Sequence, residues 1–77
     1  MQLAVRVALN IRNRRRQIGL TQVELARKIT ELAGRIWAQP QVSDLERGKF
    51  SPTLCTLDVI AQALEISPGK LFDLPRG

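Results

Sequence analysis

Gln39, Gln41, Ser43 and Asp44 bring two carboxamides, a hydroxyl and a carboxylate into one short polar stretch. Val42 and Leu45, an apolar pair three apart, are interleaved with them. That spacing suits a helix that packs by one narrow stripe and shows its other side to a partner. The outward groups can read base edges. A glutamine amide can pair with adenine through two hydrogen bonds, and a serine hydroxyl bonds to several base edges. Asp44 fits less easily. A carboxylate near phosphates is repelled unless it accepts from a cytosine amino group or is held by a neighbour such as Arg47. It can also act by rejecting wrong sequences. These four residues are the candidates for base contact in the major groove of double-stranded DNA. Glu46, Arg47, Gly48 and Lys49 follow, with Gly48 ending the helix.

The bulk composition agrees with a polyanionic partner. The chain has 12 Lys/Arg against 7 Asp/Glu, a net charge of +5 over 77 residues. That is large for one small domain, expected to span residues 1–77. Hydrophobic residues make up 44% of the chain but aromatics only 4%, so the core must be aliphatic. Alternating runs bounded by turn residues are nearly absent, which points to an all-α fold. His is absent and Cys55 is the only cysteine. No internal disulfide, metal site, cofactor site or nucleophilic constellation is therefore expected, and an enzyme is the least favoured class. Cys55 reads as a small packing residue in a reducing cytoplasm. No apolar run is long enough for a membrane span, and Arg6 interrupts the apolar N-terminus, so no signal peptide is read there.

Helix signals place the positioning elements. The first helix is expected at about residues 3–18, with Val7, Ile11 and Ile18 on one face and Leu3, Ala4 and Ala8 in support. Arg12, Arg14, Arg15 and Arg16 crowd its C-terminal end, where cations complement the helix dipole and could meet phosphates or only solvent. Thr21 and Glu24 form a capping box that starts a second helix at about residues 22–33. Its apolar stripe is Leu25, Ala26, Ile29, Leu32 and Ala33, and Gly34 stops it. A third helix is expected at about residues 40–47, with Pro40 at its first position. Ser51 and Pro52 should start a fourth at about residues 52–64, burying Leu54, Leu57, Ile60, Ala61 and Leu64. Ser67 and Pro68 repeat that signal for a short fifth at about residues 68–72, and the tail from Leu74 to Gly77 should fray.

Three pieces in order carry a resemblance. They are Leu20-Thr21-Gln22 with Leu25-Ala26, then Ser43 with Glu46-Arg47-Gly48-Lys49, then Pro52, Leu54, Leu57, Ile60-Ala61 and Ala63-Leu64. Together they resemble the Cro and phage-repressor family, the lambda-repressor-like or XRE helix-turn-helix domain. The resemblance implies five helices, the second and third forming the DNA-binding unit. It implies a structural ion pair between Arg15 and Glu46, an Arg fork held by a carboxylate. It also implies phosphate contact by Gln22, placed where free N–H groups and the helix dipole already favour an anion. Arg35, Arg47 and Lys49 are the further phosphate candidates. The turn before the third helix departs from the family: about six extra residues fall within 30–39, and Ile36 and Trp37 are expected to cap the core there.

The expected function is a sequence-specific transcription regulator, a repressor on an inverted-repeat operator. A homodimer, at least on DNA, would set two reading helices about one helical turn apart. It would use the fifth helix, the C-terminal edge or the segment from Met1 to Arg6. The competing readings are an antitoxin that also blocks a toxin, and a protein–protein adaptor that keeps the fold without binding DNA.

Overall fold

Thr21 sets the register of the helix on which the rest packs. Its hydroxyl accepts from the Glu24 N–H at 3.1 Å, and the Glu24 carboxylate accepts from the Thr21 N–H at 2.9 Å. This closes the capping box and begins α2, Gln22–Ala33. Gly34 ends α2 in the left-handed region at φ 70°, its N–H donating to the Thr30 carbonyl. The computed structural model describes residues 2–49 and 51–74. Met1, Phe50 and the tail residues Pro75, Arg76 and Gly77 lie outside the described residues.

Before α2 comes α1, Leu3–Gln17. After it come α3, Gln39–Glu46, and α4, Leu54–Ala63. The fifth expected helix is a 3₁₀ helix, Pro68–Phe72, so the described residues hold four α-helices rather than five. Its bonds close tighter rings, from the Lys70 N–H to the Ser67 carbonyl at 3.1 Å and from the Asp73 N–H to the Lys70 carbonyl at 3.3 Å. So short a segment, with Gly69 inside it, gains too few α-type bonds to offset helix nucleation. The start of α4 is also corrected. Thr53, not Ser51, is the cap, and its hydroxyl accepts from the Thr56 N–H at 3.2 Å. Pro52 therefore precedes the helix.

All elements share one aliphatic core. Ile11 of α1, Leu25 and Ile29 of α2, Val42 and Leu45 of α3, Ile60 of α4, and Leu64 and Leu71 are fully buried. Burying each such side chain contributes about 1.5–3 kcal/mol. The expected stripes were too wide. Leu32 is 49% exposed and Leu54 is 80% exposed. Leu54 sits in the first turn of α4, outside the buried part of that helix. Leu32 borders an open hollow with Trp37, Cys55 and Val59. Leu3 is exposed as well.

One edge of α1 clamps the C-terminal segment. Arg6, Asn10 and Arg14 recur every fourth residue and so share a face. The Asn10 amide donates to the carbonyls of Leu71 at 2.8 Å and Asp73 at 2.6 Å. Arg6 reaches the Phe72 carbonyl at 3.4 Å. Arg14 donates to the carbonyls of Leu64 at 2.9 Å and Glu65 at 3.2 Å, supplying partners at the end of α4. Arg14 thus holds protein carbonyls, while Arg12 and Arg16 are exposed.

A candidate nucleic-acid interface on α3

α3 has one face in the core and one in water. Val42, Leu45 and Glu46 are buried; Gln39 and Gln41 are exposed; Ser43 and Asp44 are half-buried. A buried carboxylate needs a partner, and Arg15 supplies it. Arg15 Nε donates to Glu46 Oε2 at 2.6 Å and Nη2 donates to Oε1 at 2.9 Å, while Nη1 donates to the Leu20 carbonyl at 2.8 Å. The residues are 8% and 7% exposed. The hydrogen bonds to Glu46 raise the Arg15 pKa above its already high value, against the opposing effect of burial. The pair fixes α1 to the C-terminal half of α3.

The contact continues outward through groups whose link the sequence did not disclose. Gln22 Nε2 donates to Glu46 Oε1 at 3.2 Å, and Gln39 Nε2 donates to Gln22 Oε1 at 2.6 Å. Gln22 is the first residue of α2 and Gln39 the first of α3. A polar chain therefore runs from buried Arg15 through Glu46 and Gln22 to exposed Gln39, drawing two helix N-termini together. Free N–H groups and the positive dipole ends of both helices face the same region.

Gln41 also has local work. Its Oε1 accepts from the Ala38 N–H at 2.8 Å, satisfying the backbone at the start of α3. Its amide N–H groups remain to donate. Pro40 lies in the second position of α3, one later than expected, because α3 begins at Gln39. Asp44 is held by Lys49, not by Arg47: Lys49 Nζ stands 3.9 Å from Asp44 Oδ1, with about half of each side chain open to water. A pair so open to water is worth little. Gly48 turns the chain at φ 70°, and the Lys49 N–H donates to the Asp44 carbonyl at 3.0 Å. Arg35 and Arg47 are exposed on either side of α3 in sequence.

The connection between α2 and α3, residues 34–38, is clamped from within. The Trp37 N–H donates to the Thr30 hydroxyl oxygen at 2.8 Å, and that hydroxyl has the Ala26 carbonyl at 2.9 Å as an acceptor. Trp37 packs against the core. Ile36 does not. It is 85% exposed, which overturns the expectation that both residues cap the core. Cys55 is likewise exposed rather than packed. Among the described residues no group of His, Cys, Asp or Glu could hold a metal ion, and no helix is long and apolar enough to cross a membrane.

The chain and its fold match known proteins. A helix-turn-helix family model matches residues 11–71. The chain belongs to the helix-turn-helix family. The match is of the XRE type, and it spans α1 to the 3₁₀ helix rather than the two-helix unit alone. An uncharacterized HTH-type transcriptional regulator of Sinorhizobium fredii, y4dJ, is 39% identical over 71 residues, covering 92% of this chain and 84% of its own. Among solved structures, the hypothetical transcription factor NHTF from Neisseria superposes with a TM-score of 0.82 at 30% identity, covering 96% of this chain and 78% of that one. The restriction-modification controller protein C.AhdI from Aeromonas hydrophila gives 0.70 at 29% identity, covering 90% and 96%. The fold also occurs inside an enzyme, the hydroxypropylphosphonic acid epoxidase of S. wedmorenis (TM-score 0.77, 26% identity). There this chain covers only 35% of the enzyme, so the likeness is to one module of it. The family match and the relatives of similar length thus point to helix-turn-helix regulators, and the likeness to the enzyme is confined to that module.

Proposed function

We propose that this helix-turn-helix chain binds double-stranded DNA sequence-specifically in the cytoplasm as a transcription repressor. The observation that carries the reading is the chain Arg15–Glu46–Gln22–Gln39, which fixes the opening of α3 beside the opening of α2. Gln39, Gln41, Ser43 and Asp44 form the outward face and would meet base edges. Gln22, Arg35, Arg47 and Lys49 would meet phosphates. Affinity then comes chiefly from the backbone and falls with salt, while specificity comes from α3.

A helix this short reads only a few base pairs. Two copies on an inverted repeat, half-sites about one helical turn apart, would give a sufficient site. The dimer contact would use the 3₁₀ helix and the C-terminal edge. The alternative contact is the segment Leu3 to Arg6, the first turn of α1. The adaptor reading calls for an acidic or bulky apolar outer face on α3, and the two glutamines and the serine argue against it.

The test is selection of bound sequences from a random duplex pool at two salt concentrations. An enriched palindromic motif, with Kd rising steeply with salt, is the expected result. Absence of a motif together with salt-indifferent binding would defeat the reading.

A further inference from the structure

Ile36 is the most exposed large apolar side chain among the described residues, and it lies in the segment that leads into α3. It is not a loose loop tip. Gly34 reverses the chain at φ 70°, and Thr30 holds the Trp37 backbone at 2.8 Å. Trp37 is also packed against the core. Ile36 is therefore presented from a segment fixed on both sides, at a standing cost in exposed apolar area. It shares an open hollow with Val23, Arg27 and Gln39. Gln39 is the first residue of α3 and the outer end of the polar chain. Val23 is half exposed and follows Gln22 at the start of α2. The hollow thus has apolar walls, a carboxamide at one edge and a guanidinium at another.

That mixture fits one feature of duplex DNA. In the major groove the thymine C5-methyl is the apolar mark of an A·T pair, and side-chain methyl groups read it by contact. The carboxamide of Gln39 suits the adenine of such a pair, and Arg27 and Arg35 supply positive charge for the flanking phosphates. We infer that Ile36 is a specificity-determining residue that packs on a thymine methyl beside the base pair approached by Gln39. The inference rests on the DNA-reading function proposed above and adds a residue from outside α3 to the reading surface.

The experiment uses the full chain and the duplex selected from the random pool. Each thymine in turn is replaced by deoxyuridine, which removes only the C5-methyl, and Kd is measured for the wild type and for Ile36→Ala. The wild type should lose about fourfold at one thymine per half-site, the equivalent of one buried methyl at about 0.8 kcal/mol. Ile36→Ala should bind the thymine duplex more weakly by a similar factor per half-site and no longer distinguish it from the uracil duplex. Because Ile36 is exposed, the variant should melt with the wild type. If Ile36→Ala weakens thymine and uracil duplexes equally, the side chain packs on sugar or phosphate and the inference is wrong. It is equally wrong if Ile36→Ala changes nothing. Failure to select any motif defeats the DNA reading itself, and is thereby distinct from a selected motif that ignores Ile36.

Discussion

The two halves of α3 are held in different ways. From its midpoint on, the helix carries Val42, Leu45 and Glu46 into the core, with Glu46 gripped by Arg15 at 2.6 and 2.9 Å. The N-terminal turn is held at the surface by amide side chains, Gln39 on Gln22 and Gln41 on the Ala38 N–H. Buried contacts fix where the helix lies. Exposed amide contacts fix how its opening turn is presented, and they can be exchanged for contacts to a partner at little cost, because water competes for them already. A short helix can in this way be rigid in position and still have free hydrogen-bonding capacity at one end.

The largest effect should come from breaking the buried half. Glu46→Ala leaves the Arg15 guanidinium without its carboxylate and should cost about 3–5 kcal/mol in chemical denaturation. Replacing both, Arg15→Met with Glu46→Leu, should recover most of that loss, since the desolvation of two charges is also removed. If the double variant is no more stable than the single ones, the pair contributes by more than mutual neutralisation.

Next is the clamp on the segment before α3. Thr30→Val removes the acceptor for the Trp37 N–H, which is 2.8 Å from the hydroxyl oxygen. The expected loss is about 1–3 kcal/mol, with faster hydrogen exchange at Trp37 and Ala38. Unchanged exchange there would mean the segment is held by Trp37 packing alone.

At the exposed end the effects should move from stability to binding. Lys49→Ala should leave the melting temperature nearly unaltered, because its pair with Asp44 is solvent-exposed. It should weaken all duplexes alike and reduce the salt dependence of log Kd by about one per chain. A sequence-selective loss would place Lys49 among the base readers.

The smallest effect concerns pH. Hydrogen bonds from the Thr21 backbone N–H, then the Thr21 side chain, lower the Glu24 pKa. A depressed carboxylate contributes stability that is present above its unfolded pKa and is lost as pH falls through the folded value. The difference in melting temperature between the wild type and Glu24→Gln should therefore be seen at neutral pH and shrink below about pH 4.3. A difference that grows in acid would contradict the cap.

Local rules made much of the fold legible. The capping box at Thr21 and the glycine stops at Gly34 and Gly48 depend on near neighbours, so sequence exposes them. Where signals overlap, the sequence misled: Ser51-Pro52 reads as the start of α4, but the geometry of the helix start makes Thr53 the cap. Leu32 and Leu54 satisfy the helical period, but periodicity does not say how far along a helix its neighbours reach. At the site, Arg15 and Glu46 came into view through family resemblance alone, since a contact so distant in sequence leaves no periodic trace. The Gln22–Gln39 bond left none either. The spacing of Arg6, Asn10 and Arg14 on one face of α1 was a readable signal, obscured by treating the arginines as one cluster. The polar partner of Gln41 could have been anticipated too, because a glutamine three residues into a helix reaches back to the cap N–H.

The central claim is that the outward face of α3, led by its opening turn, reads sequence while its buried face only positions it. The most direct measurement is the base preference of Gln39→Ala in duplex selection, alongside its melting temperature. The account predicts a melting temperature close to the wild type and a motif relaxed at one position per half-site, by about 1–3 kcal/mol of lost discrimination. An unchanged motif from a folded Gln39→Ala protein would contradict it.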